Sequence, residues 1–206
     1  MSESGAQTVF IVDDDAAVRD SIAELVGSVG LRSQCYPSAP AFLDDFRPER
    51  AGCLVLDVRM AEMSGLELQQ KLNELAAAIP VIVLTGHGDV PMAVQAMKAG
   101  AVEFLQKPYR DQALLDSINA ALVADAAARR SQAGAASFAQ RRATLTERER
   151  EVLDHLLAGR TSKEIARALS ISPRTAEAHR HNLLQKFGAG SAKELVRLSA
   201  ASSAKK

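Results

Sequence analysis

Four short apolar segments in the first half of the chain each run into residues able to do chemistry. Asp13 and Asp14 follow residues 8–12, Asp57 follows 53–56, Thr85 follows 81–84, and Lys107 stands just past 102–105. Three carboxylates brought together repel one another, and removal from water makes this worse, so such a cluster is stable only with a cation or a shared proton. A hard divalent ion, Mg²⁺, is the natural partner for these oxygens. With Mg²⁺ held by two carboxylates and waters, the third can attack a phosphoryl group. The metal, the Lys107 ammonium and the Thr85 hydroxyl would then neutralise or hydrogen-bond the phosphoryl oxygens. That chemistry is phosphoryl acceptance, with Asp57 as the nucleophile.

Acids at the start of a helix also occur simply because the macrodipole favours them. Asp15 is read in that plain way. For the rest of the set that reading requires Asp, Thr and Lys all to land at strand ends by chance.

The elements that would position these groups follow from the apolar pattern. Strands are expected at 8–12, 32–36, 53–56, 81–84 and 102–105. Helices are expected at 16–29, 38–46, 65–78, 91–99 and 111–128, bounded by Gly30, Pro48, Pro80 and Gly100. Several strands are almost wholly apolar, as strands buried on both faces of a parallel sheet are. Five βα units with right-handed crossovers predict an α/β fold, a five-stranded doubly wound parallel sheet whose ligands sit beyond the carboxyl ends of the strands.

Residues 129–143 are Ala-rich and basic with little apolar periodicity. They read as a linker, either a helical extension or a flexible tether. Beyond them only helical patterns occur, opened by Thr146-x-x-Glu149, Ser162, Ser172-Pro173 and Ser191-x-x-Glu194. These predict a small all-α, four-helix domain. In the helix after Ser172, Ala176, Leu183, Leu184 and Phe187 fall roughly on one side, and Arg174, Glu177, Ala178, His181 and Gln185 on another. A short helix burying Ile165 and Leu169 precedes it across a tight turn, which makes a helix-turn-helix. If the second helix enters a major groove, Glu177, Ala178 and His181 meet base edges, while Arg174, Thr175, His179, Arg180 and Lys186 border them at phosphates.

The expected domains are thus 1–128, a linker 129–143, and 144–206. The net charge of zero over 206 residues conceals an asymmetry: residues 1–128 hold 9 Lys/Arg against 18 Asp/Glu, and residues 129–206 hold 16 against 7. Double-stranded DNA is therefore a partner of the second half only. Cys35 and Cys53 form no Cys-x-x-Cys pair and are expected to be buried free thiols. The histidines show no metal-ligand arrangement. No apolar run approaches the roughly 18 residues of a membrane helix and residues 1–7 lack an apolar signal core, so a cytoplasmic location is expected.

Ile11-Val12-Asp13-Asp14-Asp15, Asp57-Val58-Arg59-Met60, Thr85-Gly86-His87-Gly88-Asp89 and Lys107-Pro108 resemble the receiver domain of two-component response regulators. Leu145-Thr146-Glu147-Arg148-Glu149-Arg150-Glu151-Val152-Leu153, Lys163-Glu164-Ile165-Ala166 and Ser172-Pro173-Arg174-Thr175-Ala176-Glu177-Ala178-His179-Arg180 resemble the LuxR-type helix-turn-helix. Together they identify a member of the NarL/FixJ class. The resemblance implies a flavodoxin-like receiver in which a sensor histidine kinase phosphorylates Asp57. It also implies that Asp13 and Asp14 hold Mg²⁺ with the Arg59 backbone carbonyl, that Lys107-Pro108 is cis, and that Thr85 and Phe104 are a switch pair. Lys163 joins the DNA-contacting set on the same ground. The implied function is phosphorylation-dependent DNA-binding transcription regulation rather than turnover catalysis, with a homodimer on phosphorylation and RNA polymerase as a further candidate partner. Ala61 replaces the usual proline of the Asp-x-Arg-Met motif, and Ala176 the usual valine of Arg-Thr-Val.

Two other readings compete. A phosphatase using Asp13 as nucleophile would share the fold and Mg²⁺, but it calls for a second Asp leading into a threonine, whereas Asp15 is followed by Ala16-Ala17. A regulator gated by a small molecule would leave the acidic edge unexplained.

Overall fold

The computed structural model describes residues 7–86 and 90–203. Spatial contacts divide the chain into two compact units, Met1–Ala128 and Arg129–Lys206.

The first unit is a sheet of β1 (Thr8–Val12), β2 (Arg32–Tyr36), β3 (Gly52–Asp57), β4 (Val81–Thr85) and β5 (Glu103–Gln106), all parallel, in the order β2-β1-β3-β4-β5. Between the strands run α1 (Ala16–Ser28), α2 (Ala39–Asp45), α3 (Gly65–Glu74) and α4 (Val90–Lys98), and α5 (Asp111–Ala143) follows β5. The side-chain alternation of a strand sends residues to two faces. Phe10, Val12, Leu54, Leu56, Val81 and Val83 pack with Phe42, Leu68, Leu72 and Ala96 of α2, α3 and α4. Val9, Ile11, Cys53, Val55, Ile82 and Leu84 pack with Ile22, Val26, Leu114 and Ile118 of α1 and α5.

Helix ends follow local chemistry. Asp15 caps α1, accepting from Ala17 N at 2.8 Å, as its plain reading requires. Ser64 and Glu67 form a capping box on α3, which ends at Glu74, four residues short of the expected 78. Gly65 is needed for a different reason: a Cβ there would lie 2.2 Å from the Asp57 carbonyl oxygen. Its amide donates to Val58 O at 2.9 Å, which draws the start of α3 against the end of β3. Gly65→Ala is expected to destabilise the first unit by about 1–3 kcal/mol, because the obstacle is backbone rather than a yielding side chain. Urea unfolding checks this, and an unchanged midpoint would show that α3 can slide.

Cys53 is buried as expected, and burial pushes its thiol up to about 12. Cys35 is exposed, contrary to the sequence reading. β2 is an edge strand, Arg-Ser-Gln-Cys-Tyr, in which only Tyr36 is fully buried, so a cysteine placed in it does not imply core.

In the second unit, α6 (Glu147–Leu157), α7 (Ser162–Ala168), α8 (Pro173–Phe187) and α9 (Ala192–Ser203) surround Val152, Leu153, Leu156, Ile165, Leu183 and Leu195. The Thr146/Glu149 capping box forms as expected. The cap of α7 is Thr161, boxed with Glu164, rather than Ser162, which becomes the first helical residue. At α9 only half of the expected box forms: Ser191 Oγ accepts from Glu194 N, but Glu194 Oε2 takes the Gly190 amide. Residues 129–143 are helical, the last turns of α5. Phe138 is buried there, its ring centroid 4.7 Å from that of Phe187. Among the described residues no helix is long and apolar enough to cross a membrane.

Candidate functional site

The two-residue period that fills the sheet's faces also sorts the polar groups at its carboxyl edge. Asp13 continues the line of Val9 and Ile11, Asp57 that of Cys53 and Val55, and Lys107 that of Leu105, all on the α1/α5 face. Thr85 continues Val81 and Val83 on the other face, and Phe104 lies opposite Val83 and packs into that second cluster. The outcome is two groupings rather than one.

In the first, Lys107 Nζ donates to Asp13 Oδ2 and to Asp57 Oδ1, each at 2.7 Å. Asp13 is 2% and Asp57 6% exposed. Asp57 Oδ2 accepts from Arg59 N at 2.7 Å, and Asp13 Oδ1 from Asp15 N at 2.9 Å. The Lys107-Pro108 peptide is cis. Burial raises the Asp57 carboxyl, and the opposing pull of Lys107 only partly offsets it. Burial alone would lower the Lys107 ammonium, but its bonds to Asp13 and Asp57 outweigh that and raise it.

Asp14 stands apart. It is exposed, and its Oδ2 accepts from Ala61 N at 3.3 Å, in the loop that carries Arg59. Among the described residues no three His, Cys, Asp or Glu side chains surround a common metal position. The charge nevertheless suits a cation: two buried carboxylates share one ammonium, which leaves one negative charge uncompensated, and every donor is a hard oxygen of the kind Mg²⁺ takes. His87, Gly88 and Asp89 of the sequence motif lie outside the described residues.

In the second unit, α8 buries Ala176, Leu183 and Phe187 and exposes Arg174, Thr175, Glu177, Ala178 and His181. His179 and Arg180 are half-buried, and Arg180 Nη1 donates to Ser162 Oγ at 3.5 Å. Lys163 is exposed on α7. Lys186, also exposed, pairs with Glu149 Oε1 at 2.6 Å. Ser172 caps α8 with Pro173 at its start, and Gly188 closes it in the left-handed conformation at φ 63°. Ala176 is fully buried in the core of this unit.

Residues 9–119 match the response regulator receiver domain, and residues 143–199 match the bacterial regulatory proteins of the luxR family. The chain belongs to the response-regulator family. It is 44% identical over 193 residues to the response regulator protein TodT of Pseudomonas putida F1, covering 94% of this chain and 85% of that one. It is 48% identical over 195 residues to the transcriptional regulatory protein FixJ of Rhizobium meliloti, covering 94% and 95%. The solved structure of the response regulator StyR superposes with a TM-score of 0.80 at 44% identity, covering 95% of this chain and 99% of that one. This response regulator therefore joins a receiver domain to a LuxR-type DNA-binding domain, and its function is transcription regulation in a two-component system. The receiver implies a sensor kinase as partner, and the second domain implies DNA.

In this response regulator the sequence-derived set omitted Arg19, whose Nη1 donates to the Asp13 carbonyl at 2.6 Å and ties α1 to the end of β1. Its place in the first turns of α1, six residues after Asp13, is the only signal for it. Lys107→Met would leave Asp13 and Asp57 buried face to face. Removing one partner of a fully buried pair costs about 3–5 kcal/mol, and partial exposure of the ammonium reduces the expected loss here to about 1–3 kcal/mol. The sign of its pH dependence follows from the shifts. Asp57 already has a folded-state value above its unfolded one, so the folded state takes up its proton first, and stability falls as pH rises through the raised value. Without Lys107 the Asp57 value rises further, so the variant's deficit should be larger near neutral pH than near about pH 4.5. Urea unfolding with chelator present at both pH values checks this, and equal deficits would contradict it.

Proposed function

We propose that Asp57 accepts a phosphoryl group from a sensor histidine kinase and that the modified receiver controls DNA binding by α8. The observation that carries this reading is the Lys107 bridge: one ammonium holds the Asp57 carboxylate at the strand edge and is already in place beside the atom that attacks. Asp57 forms the new O–P bond while the P–N bond to the kinase histidine breaks. Lys107 then balances charge on the transferred oxygens, and the amide of Arg59 holds the second Asp57 oxygen. Asp13, Asp14, the Asp57 carboxylate and the Arg59 carbonyl would hold Mg²⁺, which when bound neutralises charge on the phosphoryl oxygens. Thr85, fully buried on the opposite face, turns its hydroxyl to the phosphoryl group, and Phe104 follows, reshaping the face between α4 and β5. The aspartyl-phosphate is lost slowly by hydrolysis, without turnover of any other substrate.

Phosphorylation then favours a homodimer, and two basic domains grip paired half-sites in the cytoplasm, where RNA polymerase reads the result; two contacts on one duplex bind far more tightly than one. In each, Glu177, Ala178 and His181 face the bases, while Lys163, Arg174, Thr175, His179, Arg180 and Lys186 face phosphates, Lys186 exchanging its Glu149 partner to do so. The test is a reporter driven by the target promoter in cells carrying the cognate kinase. Asp57→Asn is expected to remove the response to the kinase while leaving protein abundance unchanged, and a variant that still responds would refute the scheme.

A further inference from the structure

A basic groove in the second unit is explained neither by the exposed face of α8 nor by the core. Arg160, just after α6, Thr161 at the cap of α7, Arg180 on α8 and Lys193 in the first turn of α9 line it, above Leu156 and Val196, and it encloses about 310 Å³. Three cations from three separate segments converge with no carboxylate in the lining. Among the described residues none of the three is in an ion pair. Their hydrogen-bond contacts carry no carboxylate: Arg160 Nη1 lies 3.0 Å from His155 Nδ1, and Arg180 Nη1 reaches Ser162 Oγ. Glu164 feels the charge of Arg160, but its Oε2 is taken by the amide and hydroxyl of Thr161, each at 2.7 Å. Like charges held together in a concavity are costly until an anion joins them.

We propose that Arg160, Arg180 and Lys193 clamp one backbone phosphate of the duplex beside the groove that α8 enters. This rests on the DNA-binding reading of α8. Arg180 is three residues past Glu177 and three before Leu183, on the flank between the exposed and buried faces, so a phosphate held there borders the base-reading surface. The clamp draws α7, α8 and α9 onto the same strand, which sets the depth and tilt of α8.

The test is fluorescence anisotropy of the full chain, with and without acetyl phosphate, on a mixed-sequence duplex across a salt series. Arg160→Ala and Lys193→Ala together should lower the slope of log K against log salt by up to about 0.9, the share of the one phosphate, and weaken binding about five- to tenfold near 0.1 M salt, each single replacement giving part of both. Arg160→Lys should keep most of the slope. Arg150→Ala, the same charge change on α6 outside the groove, should match the parent, and thermal melts confirm that all variants fold. Parental slopes in the groove variants, or an equal loss in Arg150→Ala, would overturn the clamp while leaving DNA binding intact. A parent that binds no duplex under either condition would sink the DNA-binding reading and the clamp with it. Groove-dependent binding of inorganic pyrophosphate with unchanged duplex slopes would assign the site to a free phosphate compound and also overturn the proposal.

Discussion

Incubated with acetyl phosphate and Mg²⁺, the protein is expected to gain a single phosphoryl group, and Asp57→Ala none at all. The reason is geometric. Asp57 and Asp13 each have one oxygen on the Lys107 ammonium and the other on a backbone amide, and Asp57 is the less buried of the two. Asp13 shares the ammonium but is more deeply buried, and Asp14 lies outside its reach, held to the Ala61 amide. Attack by an Asp57 oxygen on phosphorus expels acetate and places new negative charge beside Lys107. Lys107→Ala should therefore still be modified at Asp57 but about a hundredfold more slowly, the usual loss when one preorganised donor to developing charge is removed. Intact-mass spectrometry over time reads both effects. A gain that persists in Asp57→Ala would move the acceptor to another residue.

Phe138→Ala should destabilise the second unit by about 3–5 kcal/mol, the usual cost of emptying a buried aromatic site. Phe138 is 5% exposed and packs on Phe187, the last residue of α8, so the loss falls at the end of the helix that carries the DNA-facing residues. Units of this size have total stabilities of only about 4–12 kcal/mol, so much of the folded margin would go. Differential scanning calorimetry of the full chain should show the transition of residues 129–206 shifted strongly down and that of the receiver barely moved. A fragment beginning at 144 should likewise melt below one beginning at 129. Equal melting of the two fragments would mean that α5 contributes nothing to this core.

The sheet was legible because β1, β3 and β4 are short apolar runs between helices, and strands buried on both faces leave little else for such runs to be. The chemistry was legible for a related reason. A strand that ends in Asp or Thr after an unbroken apolar run has a polar group where the sheet meets solvent, whatever the order of strands, and Lys107 stands just past the end of β5. The failures have physical causes too. The sequence reading places Cys35 in the core because it falls in a strand, but β2 is a mostly polar edge strand and leaves Cys35 exposed. Thr161 was passed over for Ser162 because both can cap a helix, and only the reach of Glu164 back to the Thr161 amide decides between them. For residues 129–143 the sequence leaves helix and tether both open, because one phenylalanine among alanines makes no period. Its burial depends on a partner 49 residues further along the chain.

By itself the sequence determined the family, the α/β and all-α division, the acidic and basic halves, and the polar residues at the strand ends, because all of these depend on local pattern and residue type. Tertiary structure decided which of those residues meet. The order β2-β1-β3-β4-β5 sets β3 between β1 and β4, so the lysine just past β5 must reach across β4 to bridge Asp13 and Asp57. Strand parity, invisible until register is known, put Thr85 and Phe104 on the opposite face from that bridge. Helix packing alone brought Arg160, Arg180 and Lys193, 33 residues apart at the extremes, to one groove, because convergence of charge depends on distances through space that no spacing along the chain encodes.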